Sequence, residues 1–217
     1  MGTAPTIGAL VSLNVGRPKE LAWRGRTVSS GICKVPVTGP VAVRGFNLVG
    51  DEQADRRVHG GPDKAVYAYS VEDYAWWSAR LGRDLEPASF GENLTTAGLD
   101  LCGTLVGDRW RVGTVLLEVS QPRTPCYKLG IRVGDDGFPD RFLKEGRTGA
   151  YLRIVEEGEL AAGDSIGVDH QRHDSLTLGE VARICHTERD RAAELLEVPE
   201  LAASRHAWAR KTLEARS

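Results

Sequence analysis

Short apolar runs rich in β-branched residues, each closed by glycine or proline, recur from Ile7 to Val168 and constrain the fold of this chain more than any other feature. They cover 7–15, 27–32, 41–43, 65–69, 104–106, 110–119, 150–155 and 165–168. Most of these runs are too short for a buried helix, and their flanking turn residues read them as strands. The 25 glycines supply the sharp bends that a small closed sheet needs. One helix interrupts the pattern. Ser70 with Asp73 resembles a capping box, Tyr74, Trp77 and Leu81 share a face, and Gly82 stops it.

Composition changes after His170. Thr177 and Glu180 form a second capping box, followed by Val181, Ile184 and Cys185 at helical spacing. Two further short helices are expected over 187–196 and 201–215, broken at Val198-Pro199. The chain therefore divides into a mainly β barrel domain with a few helices, residues 1–169, and a C-terminal three-helix extension, residues 170–217. The extension either covers an edge of the barrel or forms a satellite module.

Charge and cysteine usage narrow the function classes. Lys and Arg number 28 against 30 Asp and Glu, a formal charge of −2 with the signs interspersed. Neither nucleic acid nor membrane is an expected partner on that balance. The basic residues Arg205, Arg210 and Lys211 raise a DNA-binding tail as a minor alternative, against the solvated face of a helix whose Leu201, Trp208 and Leu213 pack inward. No apolar run is long enough to span a bilayer, and the N-terminus lacks a signal-peptide layout. The four cysteines, at 33, 102, 126 and 185, lie far apart with no C-x-x-C pair. A cytoplasmic protein without a disulfide framework or a structural zinc site is expected.

Four segments carry the chemistry. Cys126 follows the strand-like run 115–119 across Ser120-Gln121-Pro122-Arg123-Thr124-Pro125, where two prolines fix φ and remove donors. Arg123, Lys128 and Arg132 surround it without an acidic neighbour from Val119 to Gly134. Nearby cations favour the thiolate, the form that binds metals or attacks. Local chemistry leaves two readings open, a functional thiolate or a small buried hydrophobe. His59 stands beside Gly60-Gly61-Pro62, where it is either a proton donor or metal ligand, or a residue of a polar surface loop. Lys34, between apolar residues and before Pro36, is an inward anion anchor or an ordinary solvated lysine. Asn93, in Phe90-Gly91-Glu92-Asn93-Leu94, meets a ligand's polar edge or closes a turn. One thiol, one histidine, several cations and glycine-lined backbone suit an anionic ligand with a soft metal better than hydrolysis by paired acids. Walker, dinucleotide and nucleophile-elbow motifs are absent from the sequence.

Taken in order, these segments resemble the MOSC domain, named for the C-terminal domain of molybdenum cofactor sulfurases, and in particular its bacterial YiiM-type subgroup. The matching stretches are Ser30-Gly31-Ile32 with Lys34, Gly50-Asp51-Glu52-Gln53-Ala54-Asp55 with Val58 to Ala65, Phe90 to Leu94, Gly107-Asp108-Arg109-Trp110, Glu118 to Arg123 with Pro125-Cys126, and Gly146-Arg147-Thr148-Gly149. The helical tail is also similar to the three-helix extension of that subgroup. The resemblance implies a MOSC-type β-barrel holding a molybdenum cofactor, with Cys126 as the metal ligand and His59 beside it in catalysis. It implies a cofactor pocket drawn from Lys34, Asn93, Ser120, Arg123 and Arg147. The activity so implied is reduction of N-hydroxylated compounds, including hydroxylaminopurine-type base analogues, to the amine and water. A separate electron-donating reductase is the expected partner, since the sequence carries no flavin, haem or iron–sulfur signature. The alternative is a non-catalytic carrier of cofactor or sulfur with Cys126 as its site. The tail would dock the donor or a second subunit in a homodimer. Cys33, Cys102 and Cys185 then fall to the buried-hydrophobe role.

Overall fold

The computed structural model describes residues 6–54 and 60–216. Among the described residues thirteen strands run in chain order: β1 (Thr6–Val15), β2 (Lys19–Trp23), β3 (Arg26–Ser30), β4 (Val35–Pro36), β5 (Val41–Arg44), β6 (Asn47–Leu48), β7 (Val66–Ser70), β8 (Leu94–Ala97), β9 (Arg109–Val112), β10 (Val115–Pro122), β11 (Ala150–Glu156), β12 (Gly158–Leu160) and β13 (Ser165–His170). Seven of them close a barrel in the order β13-β9-β10-β11-β7-β8-β1, because β1 pairs back onto β13. All neighbours are antiparallel except β7 and β8. Closure leaves the barrel no free edge. The hairpin β2–β3 and the small sheet β12-β5-β6 stand outside it.

Most of the expected runs are strands, but β2, β4, β6, β8 and β12 lie outside them, β8 as a barrel strand, and two runs take another form. Residues 110–119 are not one strand but the hairpin β9–β10, turned at Gly113, whose φ is 55°. A Cβ there would collide with the carbonyl oxygen of Glu159, so the turn requires glycine. Residues 104–106 form no strand; Leu105 makes a single bridge to Thr177, because its neighbours bend to receive the tail.

Helix α1 (Val71–Leu81) starts and stops as expected. Ser70 accepts the Asp73 N–H at 3.1 Å, and Gly82 takes the left-handed conformation at φ 63°. Two short helices that local periodicity does not announce come after β10: α2 (Tyr127–Val133) and α3 (Phe138–Lys144). With α1 they bury a second, aromatic core of Tyr69, Tyr74, Trp77, Phe90, Phe138 and Phe142. Its rings meet at 4.8–5.8 Å, as between Trp77 and Phe138 at 4.8 Å and Tyr69 and Phe142 at 5.8 Å.

The tail comprises α4 (Leu178–His186), a 3₁₀ segment Arg189–Glu197 where an α-helix is expected, and α5 (Ala203–Glu214). Leu178, Val181, Ile184, Leu195 and Leu201 belong to the same hydrophobic cluster as the barrel interior. Of the two arrangements open to it, the tail takes the barrel-covering one. Its first helix carries the complete capping box, Thr177 accepting from the Glu180 N–H at 3.1 Å and Glu180 from the Thr177 N–H at 2.8 Å. Thr177→Ala is expected to cost about 1 kcal/mol of stability. The check is a lower urea midpoint at unchanged slope; an unchanged midpoint would mean the box contributes nothing. Among the described residues, no helix is long and apolar enough to cross a membrane.

Candidate functional site

A cavity of about 90 Å³ opens at one end of the barrel, lined among others by Lys34, Lys64, Tyr67, Arg123, Cys126 and Lys128. It is smaller than the several hundred cubic ångströms that enclose a drug-sized ligand. Among the described lining residues, four cations face one carboxylate, Glu52. The site is therefore electropositive although the whole chain is not.

Strand geometry places the thiol. β10 is buried along its whole length and carries a bulge at Ser120, which lies between the pairs Val119–Leu152 and Gln121–Tyr151. A bulge re-aims the residues beyond it, and here the chain leaves the sheet through Arg123 to deliver half-buried Cys126 just before α2. Arg123 is buried. It donates to the Phe90 carbonyl at 2.5 Å, and its guanidinium lies 4.6 Å from the Tyr67 ring centre. Burial opposes its charge, but the guanidinium stays protonated, as arginine does in proteins. Burial raises the Tyr67 and Tyr151 phenols, which stay neutral and form the less polar wall.

Lys34 is buried rather than solvated, and Asp51 is the reason. Its ammonium pairs with the Asp51 carboxylate, which also accepts from the Gly16 N–H at 2.9 Å and from the Asn93 amide at 3.1 Å. Burial lowers the Lys34 pKa and Asp51 works against that. Asn93 lines the cavity, yet its amide is fully engaged in the scaffold. Its oxygen accepts from the Tyr67 N–H at 3.2 Å and its nitrogen also donates to the Asn14 carbonyl at 3.2 Å. Close backbone passage shapes the same wall. Gly91 holds φ 79°, and a Cβ on it would lie 2.6 Å from Ile32 Cγ1.

The structure thus brings Lys34, Asn93, Arg123 and Cys126 together, and does not bring Ser120 or Arg147 to them. The Ser120 hydroxyl lies 2.7 Å from the Asp63 carbonyl and 2.9 Å from that of Tyr151, so it braces the bulge. Arg147 pairs with Asp73 at 2.5 Å and lies over Trp76 in a separate depression beside α1. His59 lies outside the described residues. Among the remaining cysteines, Cys33 and Cys185 are half-buried, and burial pushes the Cys185 thiol up. Cys102 is exposed rather than buried, because the turn after Asp100 carries it to the surface.

Sequence reasoning passed over Lys64, Tyr67, Tyr151 and Asp51 as site residues. Lys64 sits on the 3₁₀ turn Pro62–Lys64, directly after the double glycine, and Asp51 opens the acidic stretch beside it; those adjacencies were the available signal. Tyr67 and Tyr151 look like ordinary strand aromatics, and only the β7–β11 pairing that sets them opposite each other marks them.

A thiol among several cations thus sits on a closed, mainly antiparallel barrel with a helical tail. The MOSC domain model matches residues 55–167, and the chain belongs to the MOSC domain family. Domains of this family are associated with binding the molybdenum cofactor. The uncharacterized protein YflK of Bacillus subtilis (strain 168) is 35% identical over 200 residues, 92% of this chain and 90% of its own. A protein of Gibberella moniliformis named as a reductase is 32% identical over 92% of this chain, which spans 37% of that longer protein. The crystal structure of YiiM from Geobacillus stearothermophilus superposes with a TM-score of 0.79 at 33% identity, covering 95% of this chain and 99% of that one. The fold is YiiM-like.

Proposed function

We propose that this protein is a molybdenum-cofactor-dependent reductase of N-hydroxylated compounds, hydroxylaminopurine-type bases among them. The observation that carries the proposal is the Cys126 thiol set in a cavity with Lys34, Lys64, Arg123 and Lys128. That donor set fits the cofactor. A thiolate suits a soft metal, and cations suit the phosphate and other anionic groups of a pterin ligand. When bound, such a cofactor supplies a two-electron redox centre able to take oxygen from an N–O bond. The overall reaction breaks that bond, consumes two electrons and two protons, and releases the amine and water.

The chain's own residues bind, orient and supply protons. Lys34 is a fixed cation, because Asp51 anchors its ammonium from behind. Arg123 is immobilised by the Phe90 carbonyl and by the Tyr67 face. Burial and the neighbouring Arg205 charge lower the Lys64 pKa, so its Nζ gives up a proton more readily than a solvated ammonium. His59 enters by motif position as a second proton donor. Electrons come from a separate reductase, and the reducing cytoplasm is the compartment where cysteines such as these four stay reduced.

The test is turnover. Protein purified from a host that makes the cofactor is supplied with a reduced electron donor and 6-hydroxylaminopurine, and the amine is quantified. One amine per substrate consumed is the expected result. Molybdenum-loaded protein that binds the substrate without forming amine would replace the reductase with a carrier.

A further inference from the structure

We propose that Arg205, on helix α5, is a positioning residue that sets the Cys126 loop, which makes the helical tail a working part of the site. The inference rests on Cys126 being the ligating thiol. In the segment Gln121 to Cys126, the two prolines fix φ at their own positions and restrict the residues before them, but leave Arg123 and Cys126 undetermined in ψ. The loop also presents acceptors that its own N–H groups cannot satisfy. The Arg205 guanidinium meets three of them: Nε donates to Gln121 Oε1 at 3.0 Å, and Nη2 to the Pro122 carbonyl at 3.3 Å and to Thr124 Oγ1 at 2.5 Å. Arg123 pins the same loop from the cavity side through Phe90. Between them the two arginines hold the loop from opposite sides.

The tail grips the other wall as well. Ala202, at the start of α5, has no side-chain cap to offer, and Asp63 takes that role by accepting the Ala203 N–H at 3.0 Å. Asp63 also pairs with Arg153 at 2.6 Å, and Arg153 donates to the Glu200 carbonyl at 2.6 Å. Asp63 is the residue before Lys64, so the turn bearing that cation is tied to the tail and to β11 together. The Ala202 N–H reaches the bulge at the Ser120 carbonyl, 3.1 Å away. These contacts come from residues 200–205, beyond the span 55–167 of the matched domain model.

The experiment follows amide exchange across residues 123–129 and the rate at which iodoacetamide labels Cys126, each read from its own peptide in the full-length, cofactor-free chain. Arg205→Gln is expected to speed exchange at Leu129, whose N–H donates to the Cys126 carbonyl at 2.9 Å, about tenfold, the loss expected for two to three modest hydrogen bonds shared with water. Cys126 labelling should change about threefold or more as the loop opens. Arg205→Lys keeps the charge without the planar fork and should recover part of both effects. Arg191→Gln, which breaks the tail's pairs with Glu188 and Glu194, should change neither. If Arg205→Gln also loosens α4, Thr124→Val decides, since it removes one acceptor and leaves the tail untouched; it must then reproduce the loop effect. Wild-type loop rates in Arg205→Gln with a closed tail, or in Thr124→Val if the tail opens, would overturn the proposal. A wild type that takes up no molybdenum would remove the proposed function and leave this result standing, whereas unchanged loop rates would remove this inference alone.

Discussion

Asp51→Ala is expected to destabilise the protein by about 3–5 kcal/mol, because it strips a buried ammonium of its counter-charge. Lys34 and Asp51 are both buried, and the carboxylate also holds the Gly16 N–H and the Asn93 amide. Removal leaves an uncompensated Lys34, which then loses its proton more easily, so the cavity loses a fixed cation as well as support. In a chain of this size the loss corresponds to a melting point lower by roughly 10 °C. The double change Lys34→Met with Asp51→Ala should recover part of it, since no charge is then left buried alone. The pH dependence has a definite sign. Burial holds the folded Lys34 pKa below its ordinary 10.5, so the unfolded chain binds more protons between those two values. Stability therefore rises with pH through that window, and the full cost of the buried charge is present below it. In Asp51→Ala the folded pKa falls further and the window widens downward. A melting point within 2 °C of wild type would show that the pair carries little; that bound reflects about 1 kcal/mol at most.

The barrel was legible because its strands are short, β-branched and punctuated, and such runs have few alternatives to pairing. The caps at Ser70 and Thr177 were legible for a related reason: each needs only residues three apart. What escaped depends on contacts distant in sequence. Helices α2 and α3 hold only seven residues each and are stabilised by Leu129, Val133, Phe138 and Phe142 entering the aromatic core, not by propensity. Lys34 meets Asp51 across 17 residues, and Arg205 meets Thr124 across 81, so neither pairing leaves a local trace. Cys126 and Arg123 were legible because their prolines and clustered cations are unusual in themselves. Arg147 and Ser120 stand in equally distinctive segments, yet their side chains are taken up by Asp73 and by the bulge. A distinctive segment fixes a backbone path; which side chain faces the cavity is decided by the sheet.

The second large effect falls on the metal. In Cys126→Ala the cavity keeps Lys34, Lys64, Arg123 and Lys128, so phosphate-bearing ligands still have their charge partners, but no described side chain of the lining offers sulfur. Among the described residues no cluster of three or more histidines, cysteines, aspartates or glutamates stands ready to hold a metal instead. Turnover of a hydroxylaminopurine should then fall at least about a hundredfold, and the fold itself should persist, since a half-buried thiol contributes little packing. The most direct measurement is molybdenum and pterin content per chain in freshly isolated wild type and Cys126→Ala, both made in a host that synthesises the cofactor. The expected result is metal and pterin near one per chain in wild type, with molybdenum lost in the variant. Equal molybdenum in both would remove Cys126 as the ligand, and wild type without molybdenum would contradict the proposed function outright.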